Sequence, residues 1–271
     1  MVKDITFGQY FLSDSLIHKL DARLKVILML VLVITLFLCK GFLSLGIFTL
    51  FTIFILLASK ITFKLYFKNI KVIIPIVLFT SLINLFYSKT GIEFKIFSSF
   101  SIWSGGIEKA IFMSVRILLL ILISSVLTYT TTPNDITDAI ERLLSPLKYI
   151  GLGSAVHTLS MMMTIALRFI PTLIDETDKI INAQKARGAD MESGGLVKRI
   201  KALLPILIPL LFSSVRRAYE LAEAMECRGY NGGIGRTRMK VMRFATRDYI
   251  ALFVSILLNF GIIFISFFFK W

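Results

Sequence analysis

Five stretches of the chain are apolar almost without interruption: Val26 to Cys39, Phe42 to Ala58, Val72 to Tyr87, Ala110 to Tyr129 and Tyr249 to Phe269. None alternates polar with apolar residues. Continuous runs read as membrane-crossing helices, because a barrel strand would show its lipid face only at every second position. Each is near the roughly 17–25 residues that cover the hydrocarbon core, the first and third being somewhat short. Lys40 and Gly41 divide the first two runs, Pro75 lies near the start of the third, and Arg116 sits inside the fourth.

The pattern changes between Thr130 and Asp248. The segment TTTPNDITDAIERLLSPL offers Thr132 or Asn134 as a helix cap, with Asp135 and Asp138 in the first turns where the helix dipole favours anions. Ile136, Ala139, Ile140, Leu143 and Leu144 share one face, while Asp138, Glu141 and Arg142 lie off it, which predicts an amphipathic surface helix ended by Pro146 and Gly151. Leu152 to Ile174 and Ala202 to Val215 are also apolar, but they carry His157, Arg168, Pro171, Pro205 and Pro209.

Charge decides against counting those two as crossings. With five crossings, the cations of the N-terminal segment, Lys60 to Lys71 and every basic residue from Arg142 to Arg247 fall on one side. Only Lys40, Lys89, Lys95, Lys109 and Lys270 fall on the other. The positive-inside rule then places the N-terminus and the large polar region in the cytoplasm. The expected organisation is a membrane domain over 1–129 with four crossings, a cytoplasmic or interfacial helical domain over 130–248, and a last crossing over 249–271.

Composition agrees with the class. The chain of 271 residues is 56% hydrophobic, with 24 phenylalanines, and its mean hydropathy is +0.80. A soluble domain of this size has too much surface to hide that content. The net charge of +14 reads first as cytoplasmic loops of a membrane protein; no basic stretch is interleaved with stacking aromatics, so nucleic acid is not an expected partner. The two cysteines, Cys39 and Cys227, lie in an apolar run and in the polar region, so no disulfide framework is expected. The N-terminus, with Asp4, Asp14 and Asp21, does not read as a removable signal peptide.

Two stretches of the polar region match each other. IDETDKIINAQKARG (174–188) and VRRAYELAEAMECRG (215–229) pair Ile180 with Leu221, Ala183 with Ala224 and Arg187 with Arg228. Both are free of internal Gly and Pro, and Gly188 and Gly229 suit the left-handed residue that ends a helix. One such end is an ordinary stop. Two, on similar helices, hold two guanidinium forks in fixed positions, which suits a partner with two equivalent sockets.

With these motifs in view the chain resembles the transmembrane T component of energy-coupling factor transporters, a family that includes cobalt and nickel uptake proteins. The resemblance runs through SLIHKLDARLKVI (15–27), TTTPNDITDAIERLLSPLKYIGL (130–152), ALRFIPTLIDETDKIINAQKARGA (166–189) and AYELAEAMECRGY (218–230). It implies an all-α polytopic membrane protein with two long coupling helices, in a prokaryotic cell membrane. It further implies that Ala186, Arg187 and Gly188, and Cys227, Arg228 and Gly229, each dock into one of two ABC-type ATPases. Cys227 stands where the family has Ala; it is small and packs like a small hydrophobe. A membrane-embedded substrate-binding subunit is the other implied partner, for vitamin or transition-metal uptake. ATP and Mg²⁺ would bind on the ATPases, and this chain would bind no cofactor and catalyse nothing.

Met161, Met162 and Met163 either fill gaps or, given the resemblance, meet the substrate-binding subunit. Arg116 either snorkels toward Lys109 or serves a function inside the membrane. Asn84 and Asn259 are expected to bond between helices. His18 and His157 share no metal-like spacing, and GGIGRTR (232–238) lacks the phosphate-loop pattern. An intramembrane enzyme would need a nucleophile with its base, or paired carboxylates, inside the crossings; none is visible. A self-contained carrier or channel is the alternative, and Arg116, Asn84 and Asn259 are few groups to line a path.

Overall fold

The computed structural model describes residues 10–88, 92–97, 100–151, 153–188, 195–231 and 244–268. In order the elements are α1 (Ala22–Leu38), α2 (Phe42–Ser59), α3 (Phe63–Tyr87), β1 (Glu93–Phe97), β2 (Phe100–Trp103), α4 (Ser104–Thr130), α5 (Pro133–Leu144), a 3₁₀ turn (Ser145–Ile150), α6 (Gly153–Ala186), α7 (Leu196–Cys227) and α8 (Thr246–Phe268). The chain is all-α apart from the antiparallel β1–β2 hairpin between α3 and α4. It divides into two compact units, one holding described residues 10–136 and 244–268, the other 137–231.

The first unit is a bundle of α1 to α4 and α8. The main chain starts α1 at Asp21, whose carboxylate accepts the Arg23 N–H at 2.9 Å. Lys60, in the left-handed region at φ 54°, ends α2. Leu32, Leu36, Phe48, Leu119, Ile123 and Ile262 form the core where α1, α2, α4 and α8 meet. The outward faces stay apolar, as Leu78, Phe79 and Leu82 of α3 illustrate, which fits hydrocarbon rather than water as the surrounding medium. Gly106 lets α4 approach α3, because a Cβ there would stand 2.7 Å from the Leu85 carbonyl oxygen.

One end of this bundle is tied by polar groups from the SLIHKLDARLK segment. Lys25 is buried, and its ammonium donates to the carbonyls of Thr130, at the end of α4, and His18, at 2.9 and 3.1 Å. The Asp248 carboxylate accepts the Asp21 N–H at 3.0 Å and the Ala245 N–H at 2.7 Å, joining the starts of α1 and α8. Arg23 bridges to Asp21 at 2.7 Å and lies 4.3 Å over the Phe244 ring. His18 sits 2.6 Å from the Ser15 hydroxyl and 2.9 Å from the Phe11 carbonyl, an arrangement that suits a neutral ring donating from Nε2.

The Arg116 guanidinium does not snorkel toward Lys109. It turns inward and donates to the Cys39 carbonyl, capping the end of α1. Asn84 and Asn259 also depart from expectation. Each bonds within its own helix, to the carbonyls of Thr80 and Ser255 at 2.8 and 2.6 Å. A side-chain amide inside a helix reaches the carbonyl one turn back, as a second donor to it, more cheaply than it reaches a neighbouring helix. Other side chains do bond across helices, among them Asn69 to Ser125 at 3.0 Å, Ser59 with Tyr66 at 3.1 Å, and Ser266 to the Leu38 carbonyl at 3.0 Å.

Several boundaries differ from the apolar runs. Helix α3 begins at Phe63, nine residues before Val72, because Lys64, Lys68 and Lys71 belong to its first turns rather than to a loop. Helices α6 and α7 run unbroken through Pro171, and through Pro205 and Pro209. Among the described residues six helices, α2, α3, α4, α6, α7 and α8, are long and apolar enough to cross a membrane. The set includes α6 and α7, which the charge pattern kept out, while α1 has only 17 residues. Length and hydropathy set this count; the cation distribution set the other.

Candidate functional site

The second unit carries both Arg-Gly ends. Helix α5, which runs from the first unit into the second, starts from the Thr132 cap: the Thr132 hydroxyl accepts the Asp135 N–H at 3.2 Å and donates to the Asp135 carboxylate at 2.8 Å. Of the two expected caps, Thr132 is the one used. Glu141, expected on the solvent face, instead holds α5 to α6, accepting from the Ser160 hydroxyl and lying 3.3 Å from His157 Nδ1.

Helices α6 and α7 pack antiparallel, pinned at three points. The Glu176 carboxylate accepts from the Ser213 hydroxyl and from Arg217, at 3.1 Å from Nε and 3.0 Å from Nη2. Further along, the Gln184 amide donates to the Pro205 carbonyl at 3.4 Å. That carbonyl is free because Pro209, four residues on, has no N–H to offer. On the other side of the Glu176 pin, Ile165, Phe169 and Leu173 face Leu221, Ala222 and Met225 across a groove of about 480 Å³.

The antiparallel pairing separates the two Arg-Gly ends. Gln184 is level with Pro205 and Glu176 with Ser213, so Arg187 falls level with Ala202, while Arg228 lies about 26 residues further along α7, about 39 Å away at 1.5 Å per residue. Each end is built the same way. Gly188 and Gly229 have φ of +83° and +67°. The Gly188 N–H reaches the Lys185 carbonyl at 3.0 Å, and the Gly229 N–H reaches that of Glu226 at 2.9 Å. At the second end the Tyr230 N–H also reaches the Met225 carbonyl at 3.0 Å, completing a Schellman cap. Arg187 and Arg228 are therefore the cap residues themselves, one position beyond the last helical turn.

Ala186, Arg187, Gly188, Cys227, Arg228 and Gly229 are all exposed. Among the described residues the Arg187 and Arg228 side chains make no hydrogen bond or ion pair, so both forks are open to an external acceptor. Cys227 is a free, exposed thiol and Cys39 a free, buried one. Met162 and Met163 of α6 are exposed at 59% and 45%, so they fill no gap within this chain, whereas Met161 is half-buried. The GGIGRTR stretch lies outside the described residues. Among those described, no cluster of His, Cys, Asp and Glu has the arrangement to hold a metal ion. The Glu176, Ser213 and Arg217 pin was not foreseen, although acids at 175–178 and the Arg216–Arg217 pair on the matching helix carried a signal of charge complementarity.

The chain matches the family model CbiQ, described as cobalt transport protein, over residues 13–241. It is 48% identical over 260 residues to a protein of Clostridium kluyveri, with 95% of each chain covered. It is 49% identical over 256 residues to one of Ruminiclostridium cellulolyticum, with 94% of this chain and 95% of the other covered. A Bacillus subtilis protein is 45% identical over 249 residues, covering 92% of this chain and 93% of its own. All three relatives bear the name energy-coupling factor transporter transmembrane protein EcfT.

Proposed function

This chain belongs to the CbiQ cobalt transport protein family, and from that premise we propose that it is the energy-coupling membrane subunit of an energy-coupling factor importer. In this reading two cytoplasmic ATPases bind ATP and Mg²⁺ and close on each other. Arg187 and Arg228 each sit in a carboxylate-bearing socket of one ATPase, with Ala186, Gly188, Cys227 and Gly229 allowing close backbone approach. The α6–α7 pair passes the closing motion to a membrane-embedded substrate-binding subunit, which Met161, Met162 and Met163 help to hold, and a vitamin or transition-metal ion is carried inward. The chain itself performs no chemistry. The N-terminus and residues 130–248 face the cytoplasm.

The observation that carries this reading is the matched pair of caps. Two exposed arginines, each followed by a left-handed glycine and unpartnered among the described residues, lie about 39 Å apart on one antiparallel pair, a spacing suited to two sockets on a dimeric motor. A helix stop alone explains a glycine at the cap; it does not explain the same exposed arginine at both. Socket contacts of this kind hold only when desolvated, because exposed ion pairs contribute little.

Charge reversal tests the reading. Arg187→Glu with Arg228→Glu is expected to abolish co-purification with the ATPases and ATP-dependent uptake, while leaving the buried Cys39 thiol protected from maleimide. Retained ATPases and uptake in the double variant would overturn the proposal.

A further inference from the structure

Toward the end of the bundle opposite Lys25, two cations, Lys40 and Arg116, are neighbours. Among the described residues neither is paired with a carboxylate; the ion pairs seen, Lys19–Asp14, Arg23–Asp21, Arg217–Glu176 and His157–Glu141, lie elsewhere. Arg116 and Lys40 lie together at this end, since the Arg116 guanidinium bonds to the carbonyl of Cys39, the residue before Lys40. Arg116 is half-buried over the Phe112 ring at 4.6 Å, its Nε buried without a hydrogen-bond partner and its Nη1 meeting only the Met113 sulfur at 4.0 Å. Lys40 is exposed, with its ammonium 5.9 Å from the Phe267 ring centre. The backbone beneath is satisfied by Ser266, which accepts from the Lys40 N–H at 3.0 Å. Lys40 therefore serves no cap, and most of Arg116's donor capacity is unused.

Helix length places these cations. From Lys25 to Cys39, α1 rises about 21 Å, and from Asp248 to Ser266, α8 rises about 27 Å, against a hydrocarbon core of about 30 Å. Helix α4 continues for twelve residues beyond Arg116, back to Ser104. The α1–α2 turn thus ends short of the level that a full-thickness bilayer requires. A cation at that level is costly unless an anion meets it. A bilayer accommodates short helices by drawing its headgroups toward them, which brings lipid phosphates to the turn.

We propose that Lys40 and Arg116 form a binding site for the phosphate of a membrane lipid, with Lys40 as the exposed point charge and the Arg116 Nη1 as the directed donor. Phe112 and Phe267 present apolar surface beside the two cations for the glycerol and upper acyl chains. The same charges would attract free phosphate, but only a lipid also fills the apolar surface.

The test is lipid retention by the full chain purified in detergent, titrated with phosphatidylglycerol and read by native mass spectrometry. The wild type is expected to keep at least one lipid under conditions that strip the rest. Lys40→Gln, a change at an exposed side chain, should lower that retained fraction several-fold, and Lys40→Gln with Arg116→Gln should remove it. Lys60→Gln, at the other end of α2, should leave it unchanged, and inorganic phosphate at equal concentration should not displace the lipid. Equal retention by wild type and Lys40→Gln overturns the proposal, as does an equal loss in Lys60→Gln or displacement by inorganic phosphate.

Discussion

Lys25→Met keeps the length of a buried side chain while removing its charge and its donors. Lys25 is 8% exposed, and its ammonium donates to the Thr130 and His18 carbonyls. It sits in the first turn of α1, where the dipole disfavours a cation, and at the last turn of α4, where the dipole favours one. The carboxylates of Asp135, Asp21 and Asp248 are near enough to act on its charge. Hydrogen bonds from a charged donor contribute about 1.5–3 kcal/mol each, and a buried carbonyl left without a donor costs about 1–3 kcal/mol. Relief of the ammonium's own desolvation, several kcal/mol, offsets part of the sum. The net expectation is a loss of about 2–4 kcal/mol, a fall in melting midpoint on the order of 10 °C. The assay is direct: in a Cys227→Ala background the buried Cys39 is the remaining thiol, so a maleimide dye reports the opening of the bundle. Lys25→Arg, which keeps the charge, should lose less. A midpoint for Lys25→Met equal to or above that of the parent would refute the assignment of Lys25 as the tie between α1 and α4.

Burial pushes the His18 pKa below its usual 6.5, against the Phe11 carbonyl bond that raises it, while the Lys25 charge lowers it further. Between the folded and unfolded values the unfolded chain binds the extra proton, so stability is complete above about pH 6.5 and falls as the pH drops through the folded value. His18→Gln should therefore shrink the midpoint difference between about pH 7.5 and about pH 5.5; an unchanged difference refutes this. Gly229→Val forces a β-branched residue into the left-handed region, at about 1–2 kcal/mol, and should loosen the Arg228 end and weaken ATPase co-purification. Gly229→Asn, tolerated in that region, should preserve it, and equal recovery of the valine variant would show that the cap geometry is immaterial.

The parts of the fold legible in the sequence are those that local chemistry sets. The Thr132 cap, the glycines at 188 and 229, and the apolar runs of α1, α2, α4 and α8 each depend on neighbours a few residues away. Non-local pairings left weaker marks. Glu176 meets Ser213 and Arg217, 37 and 41 residues later, and Glu141 meets Ser160, 19 residues later. In each case a charged residue that reads as solvated turns toward a partner that periodicity does not reveal. The start of α3 was hidden because its first turns carry lysines, and the unbroken α6 and α7 because a proline usually ends a helix. At those prolines the packing of one long helix on the other outweighs the lost bond. The Arg-Gly pair was readable because its repetition is a property of the sequence itself; the distance between the tips was not, since it depends on the two helices running in opposite directions.

Pro171, Pro205 and Pro209 each delete a rung from a helix ladder, and the Gln184 amide re-engages the carbonyl that one of them frees. A rod with missing rungs bends more readily there than elsewhere along its length. A displacement imposed at residue 187 or 228 is consequently shared between flexing at these compliant points and movement of what lies beyond them. The useful stroke is set by the stiffness of three proline sites and one side-chain amide as much as by the travel of the motor.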